Sequence, residues 1–251
     1  MKHTKSYFSS IIYYLINSCQ FIMKHLQSIK LIEKKAIAEN TYSFIFTRPS
    51  NFKFISGQFV QFHFKVNENN VTRSYSICST EFDENIEFCI KFLENGLASN
   101  YLKKMKLGSK INISGPFGKF VFKNNNIKNH FFIATGVGIA PIASILDNQL
   151  KVKSNLNNDF SLLFGLRHEN NIFWLEKLKN WNKFENFQYK LSLSQPSQSW
   201  SGLQGRVTSH LPINTNDTMF YLCGNMNMVK EVRNLLMKKG VKTENICFEI
   251  F

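Results

Sequence analysis

Between Ile29 and Phe122 apolar and polar residues alternate in short runs, among them TYSFIFTRP, QFVQFHFKV, TRSYSIC, IEFCIKFL and KINISG. β-Branched and aromatic residues fill these runs, and Asn, Gly and Pro separate them, the pattern of strands with one buried face. Together with KLIEKKAIAEN they predict six short strands, arranged as an antiparallel sandwich or barrel. One helix is predicted over Ala98–Met105, ended by Gly108. Lys123–Asn129 is polar and Asn-rich, a linker, and beyond it the rhythm changes. HFFIAT reads as a short buried strand, GVGIAP as a glycine-rich turn, and Ile142, Ile145, Leu146 and Leu150 recur at a helical period. SLLFGL, YKLSLS, MFYLCG and ICFEIF read as further strands with helical text between them. The last helix carries Met228, Val229, Val232, Leu235 and Leu236 on one face and stops at Gly240. Strand and helix in alternation imply a parallel sheet. The expected fold class is therefore β followed by α/β: an antiparallel β-barrel domain over 29–125 and a parallel-sheet α/β domain over 126–251, preceded by an extension over 1–28.

That extension differs from the rest. Tyr7 to Met23 carries no charge, yet the run is short for a membrane span and Ser9, Ser10, Asn17, Ser18 and Gln20 interrupt it. It has neither the pure apolar stretch nor the small-residue cleavage site of a signal peptide. Two readings stand: a non-native extension ahead of an internal start at Met23, which we favour, and an amphipathic helix lying on a membrane surface.

Charge and cysteine content narrow the function. The formal net charge is +14, and only five of the 31 basic residues are Arg. Such a surface suits nucleic acid, an anionic membrane or an acidic partner, although the abundance of Lys, Asn, Ile and Phe is also what an AT-rich genome produces without selection. No compact Arg/Lys block or nucleic-acid motif occurs, so nucleic-acid binding is not expected. Cys19, Cys78, Cys89, Cys223 and Cys247 are scattered and odd in number, which argues against a disulfide framework and for a reducing, cytoplasmic compartment. No C-x-x-C pair, zinc quartet or [2Fe–2S] spacing is present, and no metal is expected.

Four short motifs carry candidate chemistry. Thr135-Gly-Val-Gly-Ile-Ala-Pro141 follows a strand and opens a helix, a place where backbone N–H groups can face a pyrophosphate. Arg73-Ser-Tyr-Ser76 supplies a guanidinium for phosphate, an aromatic ring and hydroxyls. Gly96-Leu-Ala-Ser99 stands before a helix, with Ser99 either capping it or offering its hydroxyl and N–H groups to a phosphate. Cys223-Gly224 ends a strand, where ligands gather in open α/β sheets. Each has a plain structural alternative: a tight turn, an ordinary strand, a helix cap and a small buried hydrophobe.

In order, RSYS, GLAS, GPFG, TGVGIAP, FGLRHE, YLCGNMNMV and a terminal FEIF resemble the ferredoxin–NADP reductase superfamily over Ile29 to Phe251. The resemblance implies an FAD-binding barrel and an NAD(P)H-binding α/β domain. It implies that Arg73 contacts the FAD pyrophosphate, cradled beside it by the Gly96, Leu97, Ala98 and Ser99 turn, with Ser74 among the cofactor-binding residues. Tyr75 would pack on the isoalloxazine and Ser76 would lie near flavin N5. Thr135, Gly136 and Gly138 would hold the nicotinamide dinucleotide's phosphates, with Arg167 and Ser194 near its ribose. Cys223 and Gly224 would sit by the nicotinamide, and Ser76, Cys223 and Glu249 would form the catalytic polar set, with Phe251 stacking on the flavin. Ser194 and Gln195, with no adjacent Arg, lean toward NADH, while Arg167 and Arg206 weigh against it. The activity implied is electron transfer from NAD(P)H through FAD to a separate acidic redox protein, such as a ferredoxin, a flavodoxin or an oxygenase component, by a monomer. A reductase of diffusing flavin and a non-catalytic electron-transfer subunit of a larger complex are the alternatives.

Overall fold

The computed structural model describes residues 26–250. The expectations placed on residues 1–25 and on Phe251 lie outside the described residues.

Six antiparallel strands form the first sheet: β1 (Gln27–Ala38), β2 (Thr41–Thr47), β3 (Phe59–Val66), β4 (Asn69–Ser76), β5 (Asn85–Lys91) and β6 (Lys110–Phe117), in the order β4-β3-β6-β1-β2-β5. The two edge strands meet where Ile77, just past β4, bridges to Phe88 of β5. That bridge closes the sheet into a barrel, as the alternating text predicts. The period of two is plain in β3, where Val60, Phe62 and Phe64 are buried while the residues between them face outward. Phe46, Phe62 and Phe88 meet edge to face inside, with ring centroids 4.9–5.9 Å apart. Helix α1 (Leu97–Lys104) follows β5 and is tied to the barrel by Tyr101, which stacks on Phe64 at 4.3 Å. Its carboxyl end is capped by the Lys34 ammonium, which donates to the carbonyls of Leu102 and Lys103.

The second sheet is parallel, built from β7 (Asn129–Thr135), β8 (Asp159–Leu166), β9 (Phe187–Leu193), β10 (Leu203–Gln204), β11 (Thr218–Gly224) and β12 (Ile246–Ile250), ordered β10-β9-β8-β7-β11-β12. The two-residue β10 is the one strand not visible in the hydrophobic pattern. Helices α2 (Ile139–Asp147) and α3 (Leu175–Trp181) share one apolar cluster with the sheet, and α4 (Met226–Lys238) covers the other face. Every residue of β11 is buried, as a central strand covered on both faces requires.

The chain runs outward from β7 to β8 and β9, then returns to place β11 on the other side of β7. The crevice between the carboxyl ends of β7 and β11 is thus the topological switch point, where open α/β sheets take their ligands. The two sheets share packing as well. Cys78 and Cys89 of the barrel belong to the same buried cluster as Phe132, Ile145 and Trp181. The Ser144 hydroxyl donates across the junction to the carbonyl of Ser79 at 2.5 Å.

Candidate functional site

The strand ends at the switch point need glycine for two separate reasons. Gly136 has φ +55°, in the left-handed region, and a side chain there would project into open space. At Gly138 a Cβ would fall 2.3 Å from the carbonyl oxygen of Cys223, and at Gly224 one would fall 2.1 Å from Thr135 Oγ1. The turn after β7 therefore lies directly on the β11 backbone at Cys223, and Gly224 lies directly against the Thr135 side chain. A short 3-10 turn, Gly136–Gly138, leads from Thr135 into α2. Thr135 Oγ1 is buried and has no hydrogen-bond partner among the described residues. An unpaired buried hydroxyl beside a glycine turn that opens into space fits a phosphate- or amide-bearing ligand, which would supply the missing partner.

The parallel register carries this crevice toward the barrel. Cys223 of β11 pairs with Ala134 on one side and with Glu249 of β12 on the other. Glu249 Oε1 accepts a 2.9 Å hydrogen bond from the Ser76 hydroxyl at the end of β4. Residues 173 positions apart and in different domains thus form one polar line: Ser76, Glu249, Cys223. Burial pushes the Glu249 carboxyl above the ordinary carboxylate range, opposed by the Ser76 hydrogen bond. Burial also raises the Cys223 thiol well above its ordinary value, and the neighbouring Glu249 adds to this, so the sulfur is a neutral thiol. A thiol in that state is no nucleophile.

Tyr75 and Arg73 lie on the barrel side of β4. Tyr75 packs on Phe62 with ring centroids 4.8 Å apart, and burial drives its phenol up to about 12. Arg73, opposite Phe62 in the register, is exposed, and its Nη1 donates only to the neighbouring carbonyl of Thr72. The rest of that guanidinium fork remains available for a bidentate anion. Helix α1 stands on the same side of β3, through the Tyr101–Phe64 stack. Its first intrahelical bond runs from Asn100 N–H to the Gly96 carbonyl, which leaves the N–H groups of Leu97, Ala98 and Ser99 free of helical acceptors. Leu93 and Leu97 are exposed beside them, an apolar surface suited to a nucleotide base.

Ser99 corrects one of the two roles expected of it. The cap position is Gly96, and the buried Ser99 hydroxyl accepts from Leu93 N–H at 2.8 Å, locking the turn before the helix. Ser74 is exposed on the outer face of β4, opposite Gln61, away from the Arg73 and Tyr75 side. Arg167 and Ser194 are brought together: Ser194 N–H donates to Leu166 and Gln195 N–H donates to Arg167. Arg206 joins them, because Gly205 N–H donates to the Leu193 carbonyl and the Ser192 hydroxyl donates back to Gly205. Two further residues belong here and drew no role from the sequence. Phe59 is the cross-strand partner of Ser76, and Gly118 lies so close that a Cβ there would stand 3.0 Å from the Phe59 ring and 3.3 Å from Glu249 Oε2. The GPFG motif is the visible signal for Gly118, and Gln58, next to Phe59, donates to the Gly118 carbonyl at 3.2 Å.

The arrangement defines a two-domain oxidoreductase that holds FAD on a barrel and a nicotinamide dinucleotide on a parallel sheet. The chain belongs to the ferredoxin–NADP reductase superfamily. Residues 28–122 match the oxidoreductase FAD-binding domain and residues 132–234 the oxidoreductase NAD-binding domain. NADH-cytochrome b5 reductase 1 of Candida albicans is 30% identical over 226 residues, covering 85% of this chain and 76% of that protein. The toluate 1,2-dioxygenase electron transfer component of Pseudomonas putida is 28% identical over 204 residues, which are 79% of this chain but only 59% of that protein. A ferredoxin–NADP+ reductase from Neisseria gonorrhoeae, solved with FAD and NADP, superposes with a TM-score of 0.80 at 23% identity, covering 90% of this chain and 98% of that one.

Proposed function

We propose that the protein carries electrons from NAD(P)H through FAD to a separate redox protein, with residues 29–125 as the FAD domain and 126–251 as the nicotinamide domain. The observation that carries this reading is the Ser76–Glu249 hydrogen bond, which joins the domains beside Cys223. In this reading Arg73 and the free N–H groups at the start of α1 hold the FAD pyrophosphate, and Tyr75 packs on its ring system. Thr135 and the Gly136–Gly138 turn bind the dinucleotide, giving the Thr135 hydroxyl its partner. The chemistry supplied by bound FAD is acceptance of a hydride and release of electrons one at a time. The chain's own part is alignment: Ser76 and Cys223 fix the reacting rings, and Glu249 orients Ser76. A protein acceptor is favoured by the electron-transfer component among the relatives and by the basic surface.

The visible spectrum of the purified protein tests the reading. It should show stoichiometric FAD, and Arg73→Ala should release it, because one charge-assisted bidentate contact is lost with no neighbouring Arg to replace it. A colourless wild-type protein that reduces added flavin would favour the diffusing-flavin alternative. Full retention of FAD by Arg73→Ala would remove Arg73 from the site.

A further inference from the structure

A cavity of about 770 Å³ lies at the opposite end of the parallel sheet from the redox site. Residues just ahead of β7 (Ile127, Lys128) and just ahead of β8 (Asn155 to Asn158) form part of its wall, so it faces the amino ends of the strands. One strand length, roughly 20 Å, separates it from Thr135 and Cys223. The barrel supplies another part of the wall through Ile55, Ser56 and Glu81. The volume is within the ~300–1,000 Å³ of small-molecule sites, and both domains line it.

Its polar groups are of two kinds. On the barrel side the Glu81 carboxylate accepts from both the N–H and the hydroxyl of Ser56, which fixes its orientation and leaves capacity on its second oxygen. On the sheet side the end of α2 passes into a π turn, Asn148–Val152, which drives Asn148 and Gln149 inward, where they are 1% and 2% exposed. Their amides form a one-way chain: Asn155 donates to Gln149 and Gln149 donates to Asn148, each at 2.9 Å. The chain fixes Asn148 with its donor end left over, and Nδ2 has no partner. An unpaired buried donor is destabilising, and an acceptor entering from the cavity recovers that loss. Lys153 also lines the cavity and forms no ion pair among the described residues. Phe122, Ile55 and Leu156 supply apolar wall, the last two exposed.

We propose that this cavity is a second ligand site, for an α-amino acid with an apolar side chain. Its carboxylate meets Lys153 and the Asn148 donor, its ammonium meets Glu81, and its side chain packs on Phe122 and the aliphatic wall. A simple anion is disfavoured by the Glu81 carboxylate, and a simple cation by Lys153 and the spare amide donor.

Calorimetric titration of the full chain with L-phenylalanine, 3-phenylpropionate and 2-phenylethylamine tests this. L-Phenylalanine should bind saturably, and removing either charged group should weaken binding roughly tenfold or more, the loss of one charge-assisted contact. Lys153 is exposed, so Lys153→Glu should fold normally, lose the L-phenylalanine signal and keep NAD(P)H–ferricyanide activity unchanged. Glu81→Gln should bring L-phenylalanine and 3-phenylpropionate to similar affinity. Absence of saturable binding, equal binding of all three probes, or undiminished binding by Lys153→Glu would each overturn the proposal and leave an ordered water as the partner of Asn148.

Discussion

At the residue scale, Ser76 and Cys223 are both buried small side chains whose replacement by Ala removes one polar atom each and leaves no large void. If they serve alignment, their loss falls on the chemical step and spares the fold. Ser76→Ala should keep FAD and its melting temperature but slow flavin reduction by ~10²-fold, the scale of a misplaced reacting pair. Cys223→Ala should do the same more mildly, and the double variant should be less than additive because both act on one geometry through Glu249. Stopped-flow reduction of the three variants decides this; wild-type rates in both singles would place hydride transfer elsewhere. His130 gives a stability prediction of a different kind. It is buried against Tyr221, and burial lowers its pKa from 6.5 to about 4. Between those values the unfolded chain holds a proton that the native protein does not, so the contribution is complete above pH 6.5 and is lost as pH falls toward 4. It is worth on the order of 3 kcal/mol at full development. Denaturant unfolding should show this loss on acidification in wild-type, and His130→Asn should flatten it.

At the scale of elements, the hydrophobic period disclosed nearly every strand because each has a clean signature, period two in the barrel and a continuous apolar run in the parallel sheet. The glycine turn was legible for the same local reason: Thr135 to Pro141 is contiguous. The features that escaped are made by contacts between elements. The Ser76–Glu249 bond spans 173 positions. The Ser99 bond to Leu93 depends on the turn before α1, and the π turn after Asp147 breaks a helical period only in three dimensions. Arg206 is the instructive case. In sequence it is twelve residues from Ser194 and offered only a reason against NADH. The hydrogen bonds of Gly205 to β9 and of Gln195 to Arg167 line up the ends of β8, β9 and β10, so that Arg167 and Arg206 flank Ser194. Neither guanidinium has an ion-pair partner among the described residues. Two free arginines around a hydroxyl suit a 2′-phosphate better than a bare ribose. NADPH should therefore be preferred over NADH, opposite to the lean drawn from Ser194 and Gln195 alone. Arg206→Ala should raise the KM for NADPH about tenfold or more while changing that for NADH little. Equal effects on both would mean that Arg206 does not read the 2′ position.

At the scale of the whole molecule, the charge excess is what the fold leaves unexplained. Five ion pairs occur among the described residues, and all but the two on Asp147 involve well-exposed groups that contribute little to stability. The barrel even places Lys30 directly opposite Lys110 on neighbouring strands, a like-charge pairing that costs stability and is tolerated. Genome composition alone would scatter such lysines; a docking role would make them felt by an acidic partner before contact. The two differ in salt response, since the field of exposed charges is screened within ~8–10 Å at physiological ionic strength. If the surface steers a partner, reduction of an acidic ferredoxin or flavodoxin should slow roughly tenfold or more as salt rises, through kcat/KM at limiting acceptor. Ferricyanide is itself an anion and would respond as well, so a neutral quinone is the control, and its rate should stay nearly flat. NAD(P)H must be saturating in both assays, because Arg167 and Arg206, if they hold the dinucleotide phosphates, would otherwise lend their own salt dependence to the result. Parallel responses of protein acceptor and quinone would assign the lysines to composition and leave the acceptor to be recognised by shape.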